Sequence, residues 1–165
     1  MDYRNIMVAV DNSDYSVHGV GIGIEIAKAF EASLTGAHVY AARLHDLRFR
    51  QMEGGLPERY RFEGELEKQR EIHDSLITKG LEIITDSYLD AADELCKNAY
   101  IRLVRKSLEG KNYRVLVEDI HQSQYDMVIL GAMGLGAIKE NLLGSGCERV
   151  VRRVGSDLLV VKNTT

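Results

Sequence analysis

Two groups of glycines in the last third of the chain are the residues best suited to contact a ligand. Gly131-Ala132-Met133-Gly134 follows the apolar run Met127–Leu130, and nine residues later Gly144-Ser145-Gly146 precedes an apolar-periodic segment, Cys147–Val154. The pattern predicts a buried strand, a glycine-rich loop and then a helix. Glycine leaves no Cβ between the backbone and a ligand, and the first N–H groups of a helix lack intrahelical partners. Together these features favour a bound anion, most often a phosphate.

The start of that last helix carries its own sequence signal. Ser145 and Glu148 have the spacing of a capping box, which predicts that the helix begins at the serine. The chain contains neither a G-x-x-x-x-G-K-[ST] phosphate loop nor the G-x-G-x-x-G order of a dinucleotide site. The alternative interpretation is a flexible loop whose glycines serve turns.

The same loop carries a family resemblance. G-x-x-G, nine residues, then G-[ST], followed by a helix and a last apolar strand, resembles the universal stress protein family. The resemblance extends to Ile6–Ser13, a strand that ends in Asp with a Ser two residues on, and to the closing Leu158–Val161. Only residues 45–98, roughly, fall outside it.

The alternation of strands and helices along the chain predicts an α/β fold with a five-stranded parallel sheet. The resemblance implies an open sheet with helices on both faces, Rossmann-like and adenine nucleotide alpha hydrolase-like, with strand order 3-2-1-4-5. We expect a single domain over residues 1–165, with an extended helical insertion at about 45–98.

The resemblance also implies a binding site for ATP. It places the adenine near Ala9 and Val39, and the ribose near Asp11. The phosphates would contact the glycine loop, at Gly131, Met133, Gly134, Gly144, Ser145 and Gly146. Asp11 also has a structural interpretation, as a turn residue that hydrogen-bonds its own backbone.

Two departures from the family's pattern leave the nucleotide open. Met133 and Leu135 stand where the family often has polar or basic residues, and Lys139 is the only cation of the loop. AMP or ADP is therefore an alternative to ATP, with or without Mg²⁺.

Catalysis is expected to be slow ATP hydrolysis at most. Phosphoryl transfer needs metal ligands and a group that positions the nucleophile, and Asp11 is the only candidate for either role. We find no Ser–His–Asp or Cys–His arrangement and no histidine pair at metal-ligand spacing. The expected function is a nucleotide-binding stress-response or regulatory module, and the alternative is a nucleotide-free homodimeric scaffold. An adenylating enzyme of related architecture would need an S-G-G-x-D-S motif, which the chain lacks.

Composition limits the partners and the compartment. A net charge of −4 and a pI near 5.7 give no reason to expect nucleic acid or an anionic membrane. No apolar stretch approaches the ~20 residues that span a bilayer, and no signal peptide is visible. Cys96 and Cys147 form no C-x-x-C pair and are expected to be buried, reduced residues of a cytoplasmic protein. Leu158–Val161 is expected to lie at a sheet edge, where the resemblance implies pairing into a homodimer.

Further patterns predict where the other elements lie. Residues 5–10 and Leu34–Tyr40 are expected to be buried strands, and a helix capped by Ser13 or Asp14 should run to about Phe30. Ile101–Val104 is expected to be an edge strand, ended by Gly110. Two further features are expected to pack on the sheet, namely the glycines of the first helix (Gly19, Gly21, Gly23) and an apolar stripe further on (Ile77, Leu81, Ile84, Tyr88, Ala91, Leu95).

Overall fold

The computed structural model describes residues 2–41, 51, 63–134 and 143–162. Strands and helices alternate along the chain, as the sequence predicts. In chain order the elements are β1 (Asn5–Ala9), α1 (Asp14–Phe30), β2 (Ser33–Tyr40), α2 (Glu63–Asn98), β3 (Leu103–Glu109), α3 (Asn112–Ser123), β4 (Met127–Gly131), α4 (Ser145–Val151) and β5 (Asp157–Val161).

The five strands form one parallel sheet in the order β3-β2-β1-β4-β5. This confirms the expected α/β fold and its strand order. β1 is central and pairs with β2 on one side and β4 on the other, with Ala9 opposite Ala37 and Met7 opposite Val128. The chain reverses its direction of winding between β1 and β4, and at such a point an open parallel sheet leaves a crevice beyond the strand ends.

Helices cover both faces of the sheet, and each face has its own apolar core. Side chains of β1 alternate between the faces, so that Ile6 and Val8 point to one and Met7 to the other. α1 and α2 cover the first face, and α3 and α4 cover the second. The two edge strands are β3 and β5, as expected.

α1 begins and ends where the sequence indicates. The Ser13 hydroxyl accepts a hydrogen bond from the Ser16 amide at 3.2 Å and caps the helix. Of its three glycines, only Gly19 and Gly23 face the sheet: a Cβ on Gly23 would lie 3.2 Å from Leu34 Cδ1. A Cβ on Gly21 would meet nothing within 4 Å, so the expected packing role is wrong for that residue.

The apolar stripe predicted for α2 has the right spacing but the wrong phase. Ile84 and Leu95 are exposed, at 44% and 39% of their surface. The side chains that α2 buries lie one position further along the chain: Thr85, Leu89, Ala92 and Cys96. Because Thr85 is polar, a hydropathy pattern does not identify this face. Thr85 can nevertheless be buried, because its hydroxyl donates to the carbonyl of Leu81 within the helix at 2.8 Å.

β3 and α4 differ from the expected elements mainly at their ends. β3 starts at Leu103 and extends to Glu109, further than predicted, and Gly110 follows it with φ 148°. α4 does begin at Ser145, but its N-cap is Gly144, and the described residues supply no side-chain cap bond. The predicted capping box is therefore wrong. The helix ends at Val151 with Arg152 at the C-cap, before the end of the apolar-periodic segment at Val154.

Within the described ranges, no helix is both long enough and apolar enough to span a bilayer.

Candidate functional site

A cleft of about 460 Å³ opens at the carboxyl ends of β1, β2 and β4, where the crevice of the sheet is expected. Its volume falls in the range of small-molecule sites in proteins. All nine residues that the sequence suggests for ligand contact line this one cleft: Ala9, Asp11, Val39, Gly131, Met133, Gly134, Gly144, Ser145 and Gly146. Their convergence is a structural fact, and their contact with a ligand stays a prediction.

Asp11 stands just beyond the end of β1, and its carboxylate has two different environments. Oδ1 accepts hydrogen bonds from the amide and the hydroxyl of Ser13, at 3.0 and 2.6 Å. The Asp11 amide donates to the hydroxyl of Ser16 at 3.1 Å. The turn-residue interpretation of Asp11 is thus correct for Oδ1, while Oδ2 lies beside Gly134, across the cleft floor.

The glycines of the loop matter because they lack a Cβ, and not because they adopt left-handed φ values. Among the glycines that the structure describes, only Gly110 has a left-handed φ. A Cβ on Gly131 would lie 2.9 Å from Tyr15 Cβ, and one on Gly134 would lie 2.6 Å from Asp11 Oδ2. Because real Cβ atoms do not come this close, a larger residue at Gly131 would push β4 away from α1, and one at Gly134 would displace the loop or the Asp11 side chain.

Backbone hydrogen bonds join the residues that follow the glycine loop to those that precede it. The Gly144 amide donates to the carbonyl of Ala132 at 2.7 Å, and the Ala132 amide donates to Val161 at 2.8 Å. These bonds place the start of α4 against the end of β4. The first amides of α4, at Ser145 and Gly146, have no acceptor within the helix and lie on the cleft. They are suited to an anion that is also held by the rest of the cleft.

The opposite side of the cleft is mostly apolar. Ala37 and Val39 contribute from β2, and Leu116 and Tyr113 contribute from α3. The His38 ring hydrogen-bonds the carbonyl of Val10 through Nδ1 at 2.5 Å and packs edge-on to Tyr88. His38 is therefore a packed strand histidine.

Several lining residues were not suggested by the sequence. Ser16, Tyr113 and Cys147 are the chemically distinctive ones. Burial raises the pKa of the Cys147 thiol above its ordinary value, so the neutral thiol is favoured. Tyr113 is the second residue of α3, the helix after β3. The strand order 3-2-1-4-5 is the signal that would have placed this tyrosine beside β2.

Some expected features fall outside the described residues. These are the loop residues Leu135 and Lys139. Within the described ranges there is no group of three or more His, Cys, Asp or Glu side chains arranged to hold a metal ion.

The fold and the cleft define an α/β protein of the adenine nucleotide alpha hydrolase-like type, with a glycine-lined crevice between its first and fourth strands. The chain belongs to the universal stress protein family, whose model matches residues 2–162.

Relatives agree with this assignment over nearly the whole chain. A putative universal stress protein of Staphylococcus aureus is 25% identical over 162 residues, which cover 97% of this chain and 84% of that protein. The solved structure of the universal stress protein UspA from Lactobacillus plantarum is similar with a TM-score of 0.75, at 19% identity, covering 98% of this chain and 99% of the other. A universal stress protein in complex with cAMP is similar with a TM-score of 0.62, at 24% identity and 98% coverage of both chains.

Proposed function

We propose that this universal stress protein binds an adenine nucleotide in the cleft and acts as a stress-response or regulatory module. The observation that carries the proposal is the convergence of nine residues from β1, β2, β4 and α4 on one cavity. That cavity combines an apolar wall for a base, a carboxylate for a ribose, and glycine backbone for phosphates. The cAMP complex concerns another protein, and it makes adenine nucleotides the first ligands to test here.

The candidate nucleotides differ in their number of phosphates. We propose ATP as the ligand, with ADP and AMP as the alternatives. Asp11 is the only carboxylate among the described residues that line the cleft. Because Mg²⁺ is usually bound by one or two carboxylates together with phosphates and water, any such ion would arrive with the nucleotide. A single carboxylate also supports slow hydrolysis at most.

The test is direct measurement of nucleotide on the purified protein. We expect adenine nucleotide to be retained through purification, detected by ultraviolet absorbance and mass spectrometry. Calorimetric titrations with ATP, ADP and AMP, each with and without Mg²⁺, would then rank the ligands. A protein that retains no nucleotide and gives no binding heat with any of the three contradicts the proposal and leaves the nucleotide-free scaffold.

We also propose that the chain forms a homodimer through the free edge of β5. Among the residues that the structure describes, this strand pairs only with β4, and Leu158, Leu159 and Val160 are half-buried in the isolated chain. An unpaired strand edge with apolar side chains favours pairing with a second copy. Sedimentation over a range of concentrations should show a dimer that Leu159→Lys shifts towards monomer. A wild-type chain that stays monomeric throughout would contradict this part of the proposal.

A further inference from the structure

Tyr113 lies on the wall of the cleft, in the second position of α3. It is half-buried and packs against the core of the second face, next to Val39 and Leu116. Together with Ala37, those two residues belong to the apolar side of the cleft. Tyr113 is the only aromatic residue among the described residues that line the cavity, apart from the His38 ring.

Three arginines contact this tyrosine. The guanidinium carbons of Arg149 and Arg153, both on the α4 side, lie 4.9 and 5.3 Å from the centre of its ring. Arg114 donates from Nε to the phenol oxygen at 3.3 Å. Cations stacked over an aromatic ring are attracted to its electron-rich face, so they restrict where the ring lies.

The hydrogen bond from Arg114 is also the main reason why the pKa of Tyr113 is lowered from its ordinary value, with the charges of Arg149 and Arg153 adding to it. All three arginines are exposed. A chain with a net charge of −4 therefore gathers three cations around one side chain of the cleft wall.

An aromatic side chain in an otherwise apolar wall is suited to a flat, unsaturated ring. A ring whose position is already restricted loses less conformational entropy when a ligand packs on it. We propose that Tyr113 contacts the base of the bound nucleotide, and that Arg149 and Arg153 act as positioning residues for the tyrosine ring. This inference rests on the proposed nucleotide function and adds a base-selecting residue to it.

The experiment compares AMP, which carries the base, with ribose 5-phosphate, which lacks it. AMP and ribose 5-phosphate would be titrated into the full chain and followed by amide chemical shifts, which detect weak binding. The variants are Tyr113→Ala, which removes the ring, and Tyr113→Phe, which keeps it. Tyr100→Ala is the matched control, because Tyr100 is 99% exposed. Thermal unfolding of each variant checks that the fold is retained.

We expect Tyr113→Ala to weaken AMP binding by about tenfold or more, as for the loss of one stacked base, with ribose 5-phosphate affinity unchanged. Tyr113→Phe and Tyr100→Ala should bind AMP like the wild type. Equal losses of affinity for both ligands, or no loss for either, would overturn the inference. The proposed function would still stand, because the wild type binds AMP. A wild type that binds neither ligand would overturn both.

The role of the arginines is tested by combining substitutions. Arg149→Ala with Arg153→Ala should weaken AMP binding when Tyr113 is present and have no further effect in the Tyr113→Ala background. An equal loss in both backgrounds would show that the arginines act on the charge of the ligand directly, and would overturn their positioning role.

Discussion

The carboxylate of Asp11 lies against Gly134, so close that a Cβ on this glycine would come within 2.6 Å of Oδ2. The two residues are distant in sequence and meet because β1 and β4 are neighbours in the sheet. Since Ser13 holds the other carboxylate oxygen, Asp11 has little freedom to move aside. The pair therefore links the ribose part and the phosphate part of the proposed site.

Gly134→Ala is expected to displace either Asp11 or the loop. Overpacking of this kind costs about 1–3 kcal/mol, and nucleotide affinity should fall by about tenfold or more. Calorimetry with the tightest-binding nucleotide measures the change. Gly155→Ala is the control, because a Cβ there meets nothing within 4 Å and the residue does not line the cleft. Unchanged affinity in Gly134→Ala would remove Asp11 and this glycine from the site.

Cys147 provides a chemical reporter inside the cleft. Because burial raises the pKa of its thiol, alkylation by iodoacetamide near neutral pH should be slower than that of a free thiol. A bound nucleotide should slow it further by covering the thiol. Peptide mass spectrometry follows Cys147 separately from Cys96, which is buried away from the cleft and serves as the internal control. Equal rates with and without saturating nucleotide would place the ligand elsewhere.

The glycines of α1 should respond in opposite ways to alanine. Gly21→Ala faces open space and should raise the free energy of unfolding by about 0.5–1 kcal/mol, because alanine is the better helix former. Gly23→Ala would place its Cβ 3.2 Å from Leu34 and 3.3 Å from Ile129, and should lower the free energy by about 1–3 kcal/mol. Urea unfolding measures both. The same sign for the two variants would show that α1 packs differently on the sheet.

Cys96 should make the stability of the fold fall at alkaline pH. Burial raises the pKa of this thiol from 9.0 to about 11, with the charge of Asp93 adding to the effect. Above pH 9 the unfolded chain loses the thiol proton while the folded chain keeps it, so the free energy of unfolding decreases as pH rises from about 9 to about 11.

The loss due to Cys96 should amount to about 1–2 kcal/mol. Cys96→Ala is expected to be less stable overall, because it leaves a cavity, but to lose less stability over the same pH range. The difference between the two pH profiles isolates the thiol from the lysines and tyrosines that titrate nearby. Parallel profiles would contradict the prediction.

The sequence predicts most of the sheet and its cleft because the relevant signals are local. Continuous apolar runs define β1 and β4, and the residues after them must meet at one edge of a parallel sheet. The glycine loop is itself such a local signal, whereas the contacts of Ala9, Asp11 and Val39 with a nucleotide are predicted from the family resemblance.

What the sequence does not predict depends on contacts between distant residues. The buried face of α2 includes Thr85, whose polar side chain hides the true phase of the stripe. Gly21 and Gly23 are indistinguishable until α1 is seen against Leu34. Tyr113 appears as an ordinary helix residue until α3 is placed beside β2 and beside Arg149 and Arg153.

The central position of β1 has a consequence for how this protein folds. Its partner β2 follows it directly in the chain, but β4 is separated from it by more than a hundred residues. A cleft formed between those two strands is absent from any intermediate that has assembled only the N-terminal half. Ligand binding would therefore report that β1 and β4 have paired, and a ligand added during refolding would bind only species in which both strands are in place.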